Sequence, residues 1–306
     1  MSVELAAEMP PEVKSAADAG SLAGSIADHH GTITSSDQTS LFYRYWPAGK
    51  NRNDHAAIVL HGIGFHSAPY RVIADHLNPN GFDVYGLDAR GHGLSCGKRG
   101  YIGTREQVVE DVDAMVQFVR RQHPAARVFV VGDSMGGNYA LAYARLHSEA
   151  LAGLVLLAPA FWVDSSQFLH PHSILHLPYF FVDHRKPVID LMGARLDEST
   201  RDADFAAYRR RDPLSYRKVS FGYILDIQRL VWGWRREIAP VVRIPILLIK
   251  GGKDRVVSHN DCSTFARISV SPDVQFKTYP EVHHTTPWDP QTPEIMDLVG
   301  EWIAQR

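Results

Sequence analysis

Cysteine is scarce in this chain: two residues in 306, Cys96 and Cys262. That excludes a disulfide-stapled scaffold and points to a reducing, cytoplasmic setting. No apolar run is long enough to span a bilayer, since the most apolar stretch, LAGLVLLAPAFWV, is short and runs into Asp164. Peripheral contact with a lipid surface is left open. The opening MSVELAAEMPPEVKSAADAGSLAGSIADHHG lacks a basic region followed by an apolar core, so residues 1–30 read as a loosely docked tail rather than a secretion signal. An excess of one charge is missing too: Lys and Arg number 32 against 34 Asp and Glu, which argues against nucleic acid as a partner. Internal repeats and low-complexity tracts are absent, excluding solenoids and disordered arrays. With 45% hydrophobic and 22% charged residues, the chain has the composition of an ordinary globular protein with a sizeable core.

Local pattern then gives the architecture. TITSSDQTSLFYRYW alternates around a polar turn, as a hairpin of two edge strands does. The strand-like runs AAIVLHG, FDVYGLD, RVFVVGD, LAGLVLLAP, PILLIKGG and VQFKTYP follow, separated by helical segments. The clearest helix is TREQVVEDVDAMVQFVRRQHP, where Thr104 and Gln107 form a capping box and Val108, Val112, Met115, Val116 and Val119 make one apolar stripe. Alternating strand and helix implies a mostly parallel sheet covered on both faces. The alternation breaks between LAGLVLLAPA and RIPILLIKGG for roughly 75 residues, too long a stretch for a structureless loop. This insertion has an aromatic, Pro- and His-rich first half and a helical second half. It divides a core made of residues 31–160 and 236–306.

One stretch carries chemistry. In VVGDSMGGNYA, Ser134 stands between Gly132 and Gly136 where a strand turns sharply into a helix containing Tyr139, Leu141, Ala142 and Leu146. Side chains two positions either side of a nucleophile would crowd so tight a turn, which explains the glycines. A serine hydroxyl needs a histidine to take its proton, and that histidine needs an acid to orient it. In chain order the acid follows as Asp254, after the strand PILLIKGG, and the histidine as His283 or His284, after VQFKTYP. Two backbone N–H groups must face the developing oxyanion. Met135, directly after the serine, supplies one, and Ile63 in the glycine-rich turn VLHGIGFHS supplies the other.

The stretches HGIGFHSAPYRVIADHLNPNGFDVYGLDARGHGLSCGKRGYIG, GDSMGGNYAL, TRDADFAAYRRRDPLSY, IPILLIKGGKDRVV and YPEVHH together resemble the monoacylglycerol lipase and lysophospholipase family, which shares the serine aminopeptidase S33 type domain. The likeness runs from about residue 40 to the C-terminus. It implies an α/β-hydrolase fold with a mostly parallel eight-stranded sheet flanked by helices, and an inserted helical cap at residues 161–235. It implies Ser134 as nucleophile, Asp254 as acid, and His284 as base, because the histidine stands five places after a tyrosine such as Tyr279. Ile63 and Met135 are then the oxyanion donors. The expected reaction is hydrolysis of a monoacylglycerol- or lysophospholipid-like ester, with no cofactor and no metal, and with membrane or micelle contact through the cap. A small-ester carboxylesterase, an acyltransferase or an aminopeptidase would use the same triad, the last with Asp164, Asp183 or Asp190 holding the substrate amine. A non-catalytic binding protein is the rival from another class, and typically lacks a triad member. The chain departs from the family at Asp133, where histidine is common.

Other residues read as structure. Asp88, Arg90 and His92 fit a strand-end turn held by a carboxylate–guanidinium pair. His170, His172, His176 and His184 lack the supporting spacing of a metal site. Arg209, Arg210 and Arg211 read as a solvated face, and the aromatics from Phe161 to Phe181 as cap core.

Overall fold

The structure, a computed structural model, describes residues 29–161, 177–190, 199–216 and 218–306. Ten strands run in chain order as β1 (His29–Thr34), β2 (Ser40–Trp46), β3 (His55–Leu60), β4 (Asp83–Leu87), β5 (Arg127–Asp133), β6 (Gly153–Leu157), β7 (Pro187–Asp190), β8 (Lys218–Ser220), β9 (Ile246–Gly251) and β10 (Val274–Tyr279). Eight of them form one sheet in the order β1-β2-β4-β3-β5-β6-β9-β10. The hairpin β1–β2 joins β4 antiparallel, and every pair from β4 to β10 is parallel. Buried apolar residues, chiefly Val, Leu and Ile with Ala and Phe, line both faces of β3, β5, β6 and β9, as a sheet covered by helices on each side requires.

Two apolar layers lie against those faces. Helix Arg105–Gln122 opens on the Thr104–Gln107 capping box and buries Val108, Val112, Met115, Val116 and Val119. On the other face, helix Thr292–Ala304 packs against helix Arg71–Leu77 and buries Ile295, Val299 and Trp302. Helix Met135–His147 is enclosed by β5, by helix Arg105–Gln122 and by helix Phe221–Leu230, so every residue from Met135 to Ala144 is buried. Its apolar spacing is therefore no one-sided stripe, and Leu146 faces solvent instead of joining Tyr139, Leu141 and Ala142.

Between β6 and β9 the chain leaves the sheet. The described part holds helices Leu177–Val182, Ala203–Arg211, Phe221–Leu230 and Trp234–Glu237, together with an antiparallel pair of β7 and β8 that helical patterning did not reveal. Segment 199–216 is fastened to the core. Tyr216 N–H donates to Gly64 O at 2.8 Å, Thr285 N–H donates to Ser199 O at 2.9 Å, and Arg201 grips Asp289 with two bonds of 3.0 and 2.5 Å.

Two sequence readings need correction. Asp88 does not pair with Arg90: it takes Arg44 at 3.2 Å, while Arg90 holds Asp37 at 2.6 Å and Asp111 at 2.7 Å. The turn is held by charge as expected, but by partners that only folding brings near. Arg209 is buried, its guanidinium 4.2 Å from the Phe65 ring, whereas Arg210 and Arg211 are exposed. Helix Ala203–Arg211 turns Arg209 onto the Phe65 loop because residues four apart share a face with Phe205. His184 is exposed, and His170, His172 and His176 lie outside the described residues, as does most of the Phe161 to Phe181 cluster.

Candidate active site

Strands β3 and β5 are neighbours, with β4 beyond β3 on one side and β6 beyond β5 on the other. The winding of the sheet therefore reverses between β3 and β5, and the carboxyl ends of strands at such a reversal border a crevice. The loop after β3 and the turn after β5 meet there. Because β9 and β10 run parallel to them, their carboxyl ends reach the same edge.

Ser134 has φ 50° and ψ −110°, a conformation that side chains avoid. It is held by its N–H to Leu157 O at 2.8 Å and by its carbonyl, which accepts from Gly137 N–H at 3.0 Å. The flanking glycines are required by contact: a Cβ on Gly132 would lie 2.5 Å from Gly136 O, and one on Gly136 would lie 2.0 Å from Leu60 O. Backbone thus crosses backbone directly beneath the serine.

The hydroxyl faces His284. Ser134 Oγ lies 3.0 Å from His284 Nε2, and His284 Nδ1–H donates to Asp254 Oδ2 at 2.9 Å. Of the two adjacent histidines, His284 is the one that forms this bridge. Burial alone would raise the Asp254 carboxyl, but the His284 ring and the Lys250 ammonium outweigh it and hold the group well below the usual carboxylate range. It is an anion at any working pH. The imidazole can accept the serine proton at one nitrogen while the other stays fixed.

Met135 directly follows the serine, and Ile63 lies in the loop that borders it. Met135 is the first residue of its helix, so its N–H has no intrahelical acceptor. Loop 61–64 lies alongside, since a Cβ on Gly62 would be 3.6 Å from Ser134 Cβ. Two contacts orient it. His61 Nδ1–H donates to Gly62 O at 2.9 Å, and its Nε2 accepts from Ala89 N–H at 3.0 Å. Burial lowers His61 to about 4, which keeps it neutral in this role. With the Gly62 carbonyl engaged, the N–H of the same trans peptide, that of Ile63, points the opposite way. Tyr70 accepts the Gly62 N–H at 2.7 Å and donates to Asp133 Oδ2 at 2.5 Å, tying this loop to the residue before the serine. Asp133 is pushed up to about 6 by burial, with His284 and the Tyr70 bond opposing the rise.

His61, Tyr70 and Lys250 were not singled out by sequence reading. His61 precedes Gly62 in the same quoted turn, which was a usable signal; Tyr70 and Lys250 gave none. Tyr223, on helix Phe221–Leu230, reaches Met135 Sδ at 3.5 Å and His92 Nε2 at 2.5 Å, so part of the segment between β6 and β9 touches the residue after the serine. Of the carboxylates weighed for an amine-binding role, Asp183 is exposed, while Asp164 and the Asp190 side chain lie outside the described residues. Among the described residues no cluster of His, Cys, Asp or Glu is arranged to hold a metal ion.

Residues 51–291 match the family described as serine aminopeptidase, S33. Monoacylglycerol lipase of Mycolicibacterium smegmatis is 28% identical over 251 residues, covering 81% of this chain and 87% of that one. Monoglyceride lipase of Homo sapiens is 29% identical over 286 residues, covering 90% of each. A solved structure of a soluble variant of monoglyceride lipase from Saccharomyces cerevisiae has a TM-score of 0.79 at 21% identity, covering 91% of this chain and 95% of that one. The chain belongs to the serine aminopeptidase S33 family and is an ester hydrolase with the α/β-hydrolase fold.

Proposed function

We propose that the protein hydrolyses carboxylic esters of monoacylglycerol- or lysophospholipid-like substrates through Ser134, His284 and Asp254. The observation that carries this reading is the unbroken chain of hydrogen bonds from the Ser134 hydroxyl, at 3.0 Å, through the imidazole, at 2.9 Å, to a buried carboxylate. Ser134 Oγ attacks the acyl carbonyl as its proton passes to His284 Nε2. Asp254 stabilises the imidazolium that results. The tetrahedral oxyanion accepts from the N–H groups of Ile63 and Met135. Collapse of this intermediate gives the leaving alcohol the proton from His284 and leaves an acyl-serine. Water then attacks with His284 as base, and the fatty acid departs as Ser134 regains its proton.

The lipid-like substrate is supported by the named activity of the relatives and by the chemistry of residues 161–235, which we read as a cap. Phe181, Val182 and Trp232 in this region are 80%, 83% and 67% exposed, apolar surface suited to peripheral contact with a micelle or membrane. No helix among the described residues is long and apolar enough to cross a membrane. The test is initial rate on p-nitrophenyl esters from acetate to palmitate, with Ser134→Ala as the blank. A maximum at medium or long chains is expected. A maximum at acetate would sink the lipid-like substrate, and no turnover would sink the ester reading.

A further inference from the structure

Lys250 occupies β9 four residues before Asp254, and both side chains have 0% exposure. Its Nζ lies 2.6 Å from Asp254 Oδ2, the oxygen that also accepts His284 Nδ1–H at 2.9 Å. The second oxygen is occupied differently: Asp254 Oδ1 takes the N–H groups of Val256 and Val257 at 2.7 and 3.2 Å. Two backbone donors therefore anchor the carboxylate, while a lysine and a histidine share its other oxygen.

A buried ammonium is costly unless an anion lies against it. Among the described residues, Asp254 is the carboxylate within ion-pair distance of Lys250. Other titratable groups around this cluster come from three directions. Helix His259–Ile268 contributes Cys262, whose thiol burial pushes up to about 12, and Asp261, which acts on Cys262 from the same helix. The end of β5 contributes Asp133, which feels the charges of both His284 and Asp254. The loop after β10 contributes His284 itself.

We propose that Lys250 is a positioning residue of the catalytic relay: its ammonium, bound to the oxygen that orients His284, draws on the same negative charge and sets the pH at which the base becomes competent. The proposal rests on the assignment of Ser134, His284 and Asp254 made above. An imidazolium at His284 must share Asp254 with a cation already seated there, and like charges around one carboxylate disfavour the second arrival. Lys250 thus keeps the imidazole free of its proton to lower pH than Asp254 alone would allow. Asp254 need not move when Lys250 is removed, because the Val256 and Val257 N–H groups still hold Oδ1.

The experiment is the pH profile of kcat/KM on a soluble p-nitrophenyl ester for the wild type, Lys250→Met and Lys250→Arg, with Ser134→Ala alongside. Lys250→Met keeps the reach and removes the charge; its acidic limb is expected to move upward by about one pH unit. Lys250→Arg, which restores the charge, returns the limb toward the wild-type position. A folded Lys250→Met whose limb overlies the wild type, or whose activity falls equally at all pH values, overturns the proposal. Full activity in Ser134→Ala would instead overturn the underlying assignment. Should Lys250→Met fail to fold, nitrogen-15 lysine NMR on the wild type decides: an ammonium signal from Lys250 protected from exchange at neutral pH is expected, and a neutral-amine signal overturns the proposal.

Discussion

Ser134 holds a backbone conformation, φ 50°, that costs about 1–3 kcal/mol for a side-chain-bearing residue and persists because Leu157, Gly137 and Ala160 grip its peptide groups. Ser134→Ala keeps those bonds, so it is expected to fold with an unchanged melting temperature and to lose about 10⁴-fold or more in kcat. His284→Ala should lose a similar factor, whereas His283→Ala should stay within tenfold of wild type; equal losses at the two histidines would contradict the assignment. Asp133 makes a second prediction. Its folded-state value of about 6 exceeds the ordinary 3.8, so the folded chain holds this proton more tightly than the unfolded chain. Its contribution to stability therefore falls as pH rises from 3.8 to about 6, and the penalty is complete above that. Asp133→Asn still accepts the Tyr70 hydroxyl, and is expected to be more stable than wild type at pH 7.5 by at most about 3 kcal/mol. Calorimetry should find that advantage gone below pH 4.

The elements are joined by charges drawn from distant segments. Arg90 leaves the end of β4 and bridges Asp37 in the β1–β2 turn to Asp111 on helix Arg105–Gln122, with bonds of 2.6 and 2.7 Å. Its side chain is 8% exposed, and removing one partner from so buried a pair leaves the other uncompensated. Arg90→Ala is expected to destabilise the fold by about 3 kcal/mol, read by chemical denaturation. The specific activity of the fraction still folded should change little, since the described bonds of Arg90 go to Asp37, Thr39 and Asp111 and none to Ser134, His284 or Asp254. The sequence showed these elements clearly. Strand runs and the capping box are local patterns, and a local pattern survives without knowledge of the partner. Charge partners are different: Asp88 found Arg44, not Arg90, because strand pairing of β2 with β4 sets Arg44 beside it.

Across the whole molecule, the insertion between β6 and β9 acts from two sides. Its segment 199–216 is bolted to the loop after β3 by Tyr216 and by the hydrogen bond between His66 and Asp212 at 2.7 Å, and to the His284 loop by Ser199 and Arg201. Phe181, Val182 and Trp232 instead present apolar side chains to solvent. On the proposed reading, the bolted part shapes the site and the exposed part meets the lipid. Phe181→Ser combined with Trp232→Ser is therefore expected to weaken sedimentation with phosphatidylcholine vesicles several-fold and to slow hydrolysis of emulsified monoacylglycerol, with little change on p-nitrophenyl acetate. Equal loss on both substrates would assign these residues to folding.

The amino-acid order alone determined the alternation of strand and helix, the strained turn at Ser134 and the succession of serine, acid and histidine. Each is written in neighbouring residues or in their order, through side-chain periodicity and the glycines a tight turn demands. Tertiary structure decided the rest. Which of two adjacent histidines meets the serine, that Arg209 is buried, that Tyr70 links Gly62 to Asp133, and that Lys250 shares an oxygen with His284 all depend on which strand ends are brought together. Such contacts follow from the parallel sheet gathering distant segments at one edge, and no local spacing records them.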